Sequence, residues 1–134
     1  MVHYGVKAYA SLGAYTAAVE ADPHMLITML FDGALERIAS AKGGMQAGDI
    51  ALKGMMISKA ITVIDGLRAH LDIEKGGELA ENLKDLYDFS ENRLFEANFN
   101  NSTDMLDEVY EIINTLKSGW EGMKQKPDLV EEEQ

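Results

Sequence analysis

None of the 134 residues is a cysteine, which excludes both disulfide bridges and thiolate metal sites. A reducing compartment is the natural home for such a composition. Proline occurs only twice, at Pro23 and Pro127, so most of the chain is free of the ring that breaks helices. Basic residues are scarce as well: 12 lysines and arginines stand against 23 acids, a net charge of −11. That balance argues against nucleic acid and anionic lipid as partners, since both require Lys/Arg patches. Its simplest meaning is a solvated acidic surface that helps keep the chain in solution. No apolar run approaches the roughly 18 residues needed to span a membrane. The opening residues 1–15 lack the charged and apolar regions of a secretory signal. Together these absences make the cytoplasm the expected location.

Catalytic and metal-binding patterns are missing too. The three histidines, His3, His24 and His70, fall in different segments. No Glu-x-x-His pair supports a di-iron carboxylate bundle, and no His-Glu-x-x-His, phosphate-loop or dinucleotide motif occurs. The chain therefore reads as a non-enzyme with no cofactor and no metal. His70 is the one candidate for chemistry, as the phosphate acceptor of a phosphotransfer-type four-helix domain. Its nearest basic neighbours are Arg68 and Lys75, and a surface histidine favoured by a helix C-terminus is the simpler reading. The series Glu74, Glu78, Glu81 and Asp85 reads as a solvated face, with Lys84 placed to pair with its acidic neighbours.

What the chain does contain is helical pattern. Apolar residues make up 46%, enough for a single domain with a real core, expected over residues 1–126. Residues 127–134 read as an acidic disordered tail. Four long helices are predicted, preceded by a short N-terminal helix or segment over residues 1–20 that glycines weaken and that is expected to be mobile. Asp22-Pro23 opens the first long helix, which Gly43-Gly44 are expected to stop after about Ala41. Asp49 caps the next, running to about Leu71, and residues 72–77 form a turn. The third runs from about Glu78 to Phe99. Ser102 or Thr103 begins the last, which reaches about Lys124 before Pro127.

The stripes indicate an all-α, antiparallel up-down bundle. Leu106, Val109, Ile113, Leu116, Trp120 and Met123 form one apolar seam at three- and four-residue steps. Leu79, Leu83, Leu86, Ser90, Leu94 and Ala97 form a second. The helices around Met25–Phe31 and Met55–Leu67 are apolar on more than one face. Such helices need a second surface to pack against: the N-terminal segment, another copy of the chain or a ligand. The methionines concentrated there suit a surface that accepts a long apolar ligand; Met25 and Met55 are placed in that groove, and Met29 and Met56 in the core.

These residues also carry a family resemblance. The stretch Asp22-Pro-His-Met-Leu-Ile-Thr-Met-Leu-Phe-Asp-Gly-Ala-Leu35 is similar to the second-helix signature of the flagellar export chaperones of the FliS family. Gly76-Gly-Glu-Leu-Ala80, Asn82-Leu83, Leu86-Tyr-Asp-Phe89, Arg93-Leu94 and Glu96-Ala-Asn98 resemble its fourth-helix signature. Leu106-Asp-Glu-Val109 with Trp120, and Ala8-Tyr9 near the start, continue the match in order. The resemblance implies a cytosolic antiparallel bundle that binds the disordered C-terminal region of flagellin, prevents premature polymerisation and delivers it to the flagellar type III export apparatus. It also implies that the N-terminal element carrying Tyr9 occupies part of an apolar groove. Tyr9, Leu12, Met25, Ile27, Phe31 and Met55 are the expected partner-binding residues. Phe31 departs from the family in standing where many members have tyrosine. A monomer or weak homo-oligomer is expected; a helical homodimer with a different client is the alternative.

Overall fold

The computed structural model describes residues 22–123, which fold into four α-helices: α1 (Pro23–Ala47), α2 (Ile50–Ala69), α3 (Ile73–Asn100) and α4 (Thr103–Glu121). The N-terminal segment with Tyr9 and Leu12, and the tail 127–134, lie outside the described residues. Each helix start is set by a short polar side chain that takes up a free amide. The His24 amide donates to Asp22 (3.0 Å), that of Leu52 to Asp49 (3.0 Å), that of Lys75 to Asp72 (3.1 Å) and that of Met105 to Ser102 (3.2 Å). Among the described residues, no helix is long and apolar enough to cross a membrane.

Contacts run α1–α2, α2–α3, α3–α4 and α1–α4, with none across the diagonals, so the helices stand at the corners of a square. The neighbours are antiparallel. Along α1 and α4, His24 meets Trp120, Asp32 meets Lys117 and Lys42 meets Asp107, one number falling as the other rises. The core runs the length of the bundle, with Ile38, Ile64, Leu94, Leu106 and Ile113 each at most 1% exposed. Each such side chain contributes roughly 1.5–3 kcal/mol by leaving water. The double apolar character of α1 has its explanation here. Lying between α2 and α4, it buries Leu26, Ile27, Leu30, Phe31, Ala34, Leu35 and Ile38 within the bundle itself.

The helix boundaries depart from expectation in three places. Gly43 and Gly44 do not stop α1, which continues to Ala47 and ends at Gly48 in the left-handed conformation (φ 71°). Gly44 serves packing instead: a Cβ there would lie 2.9 Å from the Lys53 backbone nitrogen, so its glycine lets α1 and α2 approach closely. The turn expected at 72–77 is a helical turn capped by Asp72, broken at Gly77 (φ 57°, ψ −135°) before the main part of α3 begins. At the far end, α4 stops at Glu121, short of Lys124. The apolar stripe of α3 is also rotated from the predicted one. Ala80, Tyr87, Ser90, Leu94 and Ala97 are buried, whereas Leu79 and Leu86 are half exposed. Of the two methionines assigned to the core, Met56 packs against it partly buried, and Met29 is likewise half-buried.

Candidate functional site

The bundle end where α1 and α3 begin and α2 and α4 finish encloses an apolar cavity of about 190 Å3. Helical spacing supplies its walls. Ile27 and Phe31 come from successive turns of α1, Leu83 and Tyr87 from successive turns of α3, and Leu116 and Trp120 from successive turns of α4. Leu67 and Leu71, at the C-terminal end of α2, complete the floor. Leu79, Thr115 and Gly119 stand at exposed positions of the lining, so the cavity opens toward α3 and α4. A Cβ added at Gly119 would meet no atom within 4 Å, which keeps that wall of the opening low.

One wall is held by a reciprocal clasp. The His24 and Trp120 rings stack with centroids 4.5 Å apart and planes 15° from parallel. Trp120 Nε1–H donates to the His24 carbonyl (3.2 Å), and His24 Nε2 lies 3.1 Å from the Trp120 carbonyl. A carbonyl can only accept, so Nε2 carries the proton. The clasp fixes the indole against the start of α1 and so fixes the cavity's edge. Burial raises the Tyr87 phenol above its ordinary value and keeps it neutral, which leaves the lining uncharged.

The sequence-predicted residues fall into three groups. Ile27 and Phe31 meet in the cavity, both nearly buried (4% and 3% exposed) and both part of the core. Met25 and Met55 are about half exposed and outside the lining. Tyr9 and Leu12 lie outside the described residues. Sequence reasoning passed over Tyr87, Leu71, Thr115 and Gly119 as site residues, and treated Leu116 and Trp120 as core alone. Trp120 carried a signal, being the chain's one tryptophan, set near the end of an apolar seam. His70 Nδ1 lies 2.8 Å from the Gly66 carbonyl, so that nitrogen is a donor committed to its own helix. Among the described residues no group of three or more His, Asp or Glu is arranged to hold a metal.

A charged cluster lies beside the cavity between α2 and α3. Arg68 reaches Asp65, Asp88 (2.8 Å) and Glu91 (2.9 Å), and Lys84 pairs with Asp88 (3.0 Å) rather than with Glu81 or Asp85. Burial, followed by hydrogen bonding with Asp65, pushes the Glu91 carboxyl up to about 7 against the pull of Arg68.

The described residues form a square, all-helical bundle with an uncharged cavity open at one end. Its family is the FliS flagellar secretion chaperones, to which the chain belongs. The family model for the flagellar protein FliS matches residues 5–127. Over 118 residues the chain is 47% identical to the flagellar secretion chaperone FliSB of Pseudomonas aeruginosa, covering 88% of this chain and 94% of that one. It is 42% identical over 128 residues to flagellar secretion chaperone FliS of Salmonella typhimurium, covering 95% of each. With FliS of Bacillus subtilis the identity is 30% over 100 residues, or 75% and 74% of the two chains.

Proposed function

We propose that this chaperone binds the disordered C-terminal region of flagellin in the cytoplasm, prevents its premature polymerisation and hands it to the flagellar export apparatus, with no catalytic step of its own. The observation that carries the reading is the open cavity at the bundle end. It presents apolar surface that the four helices do not cover among the described residues. A disordered client that inserts an apolar side chain there gains burial, and it gains more by becoming helical along the groove. Ile27 and Phe31 supply part of the cavity's walls, and Tyr9 and Leu12 are proposed to take part in binding the same client.

Calorimetric titration of the full chain with a peptide covering the C-terminal region of flagellin from the same cell tests this. One-to-one, saturable binding with a large negative heat-capacity change is expected. Gly119→Leu places a side chain at the cavity's opening, where there is space for it, and is expected to weaken that binding at least roughly tenfold while the helices stay folded. Equal affinity of wild type and Gly119→Leu would place the client elsewhere. No binding to folded wild type would remove flagellin as the client.

A further inference from the structure

The connection between α2 and α3 crosses the bundle end that holds the cavity. Leu71, just before it, and Leu79, just after it, both line that cavity. Leu71 is buried in the floor and Leu79 is half exposed. Between them residues 73–76 form a helical turn of their own. The Asp72 carboxylate accepts from the Lys75 amide (3.1 Å) and the Asp72 carbonyl from the Gly76 amide (2.8 Å), so the turn is capped and closed without the rest of α3. Little else holds it. Ile73, Glu74 and Lys75 are exposed, and among the described residues Glu74 and Lys75 form no ion pair.

Gly77 alone joins this turn to the main part of α3. Its φ of 57° and ψ of −135° interrupt a backbone that is helical on both sides. These angles mirror the extended conformation of an L residue, so glycine adopts them freely and L-alanine does not. A Cβ at Gly77 would meet no atom within 4 Å, so backbone conformation, and not packing, is what calls for glycine. Returning this one residue to helical angles joins the two pieces into a single helix already capped by Asp72. It also lengthens the straight part of α3 by about one turn, roughly 6 Å, which carries the connection outward. Two opposed effects set the balance. Helix continuity favours the straight form. Burial of Leu71, 8% exposed, favours the kinked one, because straightening draws that side chain from the floor.

We propose that Gly77 is a hinge and that the turn 72–76 is the movable floor of the cavity, closed when Gly77 is kinked and open when α3 runs straight. Hinges of this kind are a few positions that absorb a large change in φ and ψ. The closed cavity, about 190 Å3, is smaller than the roughly 300–1,000 Å3 of ordinary ligand sites. A chain segment that seats more than one side chain needs the floor moved, and by binding the open form it shifts the balance to that form. This use of the hinge rests on the chaperone reading; the hinge itself is tested without a client.

Three forms of the full chain are compared: wild type, Gly77→Ala, and a semisynthetic chain with D-alanine at position 77, joined by ligation at Ala80 and then desulfurised. D-Alanine prefers the mirrored angles and holds the kink, whereas L-alanine favours the straight helix. The first readout, without peptide, is acrylamide quenching of Trp120, the chain's one tryptophan and a cavity residue. Quenching is expected to be greatest in Gly77→Ala and least in the D-alanine chain. The second readout is calorimetric titration with the C-terminal flagellin peptide. Gly77→Ala is expected to bind at least as tightly as wild type, and the D-alanine chain about tenfold or more weakly than Gly77→Ala. A glycine needed only for structure would give the reverse order, since its replacement by L-alanine damages the fold and with it the site. If Gly77→Ala does not fold, the D-alanine chain against wild type decides, and less quenching with weaker binding supports the hinge. Equal quenching in the folded forms would overturn it. So would the expected quenching order with peptide binding that is equal in all forms or weakest in Gly77→Ala. The expected quenching order with no peptide binding to wild type would uphold the hinge and remove the chaperone reading instead.

Discussion

Gly43 and Gly44 are adjacent in α1, yet replacing each by alanine should have opposite effects. Both positions are helical, so both substitutions gain the roughly 0.5–1 kcal/mol by which alanine exceeds glycine in a helix interior. Gly43 is exposed, and a Cβ there meets nothing within 4 Å, so that gain is the whole effect. At Gly44 the new Cβ would lie 2.9 Å from the Lys53 nitrogen, 3.2 Å from its Cα and 3.3 Å from the Asp49 carbonyl oxygen. All three are backbone atoms at the start of α2. Lys53 is further anchored by its ammonium group, which donates to the Asn98 carbonyl (3.0 Å) and to Asn101 Oδ1 (2.8 Å). The contact can relax only by moving one helix against another, which costs about 1–3 kcal/mol. Because the helical gain is common to both variants, the difference between them isolates the contact. It amounts to about 1–3 kcal/mol, or about 4–12 °C in melting temperature for a domain near 100 residues. Thermal unfolding followed by circular dichroism measures it. Gly43→Ala should melt at or above wild type and Gly44→Ala below it. Equal shifts of the same sign would refute the close approach of α1 and α2 at this point.

Two further substitutions probe buried polar groups. Ser90 is fully buried, and its hydroxyl finds no hydrogen-bond partner among the described residues, so Ser90→Ala should be neutral or stabilise the fold by about 1 kcal/mol in urea unfolding; a loss of stability would mean that the hydroxyl is satisfied. Glu91 titrates in the folded chain near 7, above its ordinary value of 4.5, so the folded state holds a proton that the unfolded state releases. Its contribution is fully present below about pH 4.5 and is lost as pH rises through 7, so wild type should melt higher at pH 5 than at pH 8. Asp88 is shifted downward, so its contribution is lost only below the carboxylate range and does not oppose this trend. Glu91→Gln should flatten the difference between the two pH values, and an unchanged difference would assign it to other groups.

Much of the bundle is legible in the chain because caps and stripes are local. Asp22, Asp49 and Ser102 fall where the helices start, and Asn101 ends α3 in the left-handed conformation (φ 53°). The misread glycines fail for one physical reason. A glycine required by a neighbouring helix is indistinguishable, along the chain, from one required by a turn, so Gly44 looked like a stop and Gly77 like an ordinary loop residue. The rotation of the α3 stripe has a similar cause. Leu79, Leu86 and Tyr87 are all apolar enough to face inward, and only the packing of α3 against its neighbours decides that Tyr87 does. The cavity was legible in part. Ile27 and Phe31 were visible as an i, i+4 pair, but their meeting with Tyr87 and Trp120 depends on four chain segments converging. The His24–Trp120 clasp joins residues 96 apart, and no local pattern announces it.

The most direct test of the central claim uses the chain's one tryptophan, Trp120, which lines the cavity. A tryptophan-free peptide from the C-terminal region of flagellin is titrated into the full chain, and the indole emission is followed. The account predicts a saturable change at one-to-one, with the emission moving to shorter wavelength as the client displaces water from the cavity. A peptide that co-sediments with the chain yet leaves the Trp120 emission unchanged would contradict it, because the client would then be bound somewhere other than the cavity.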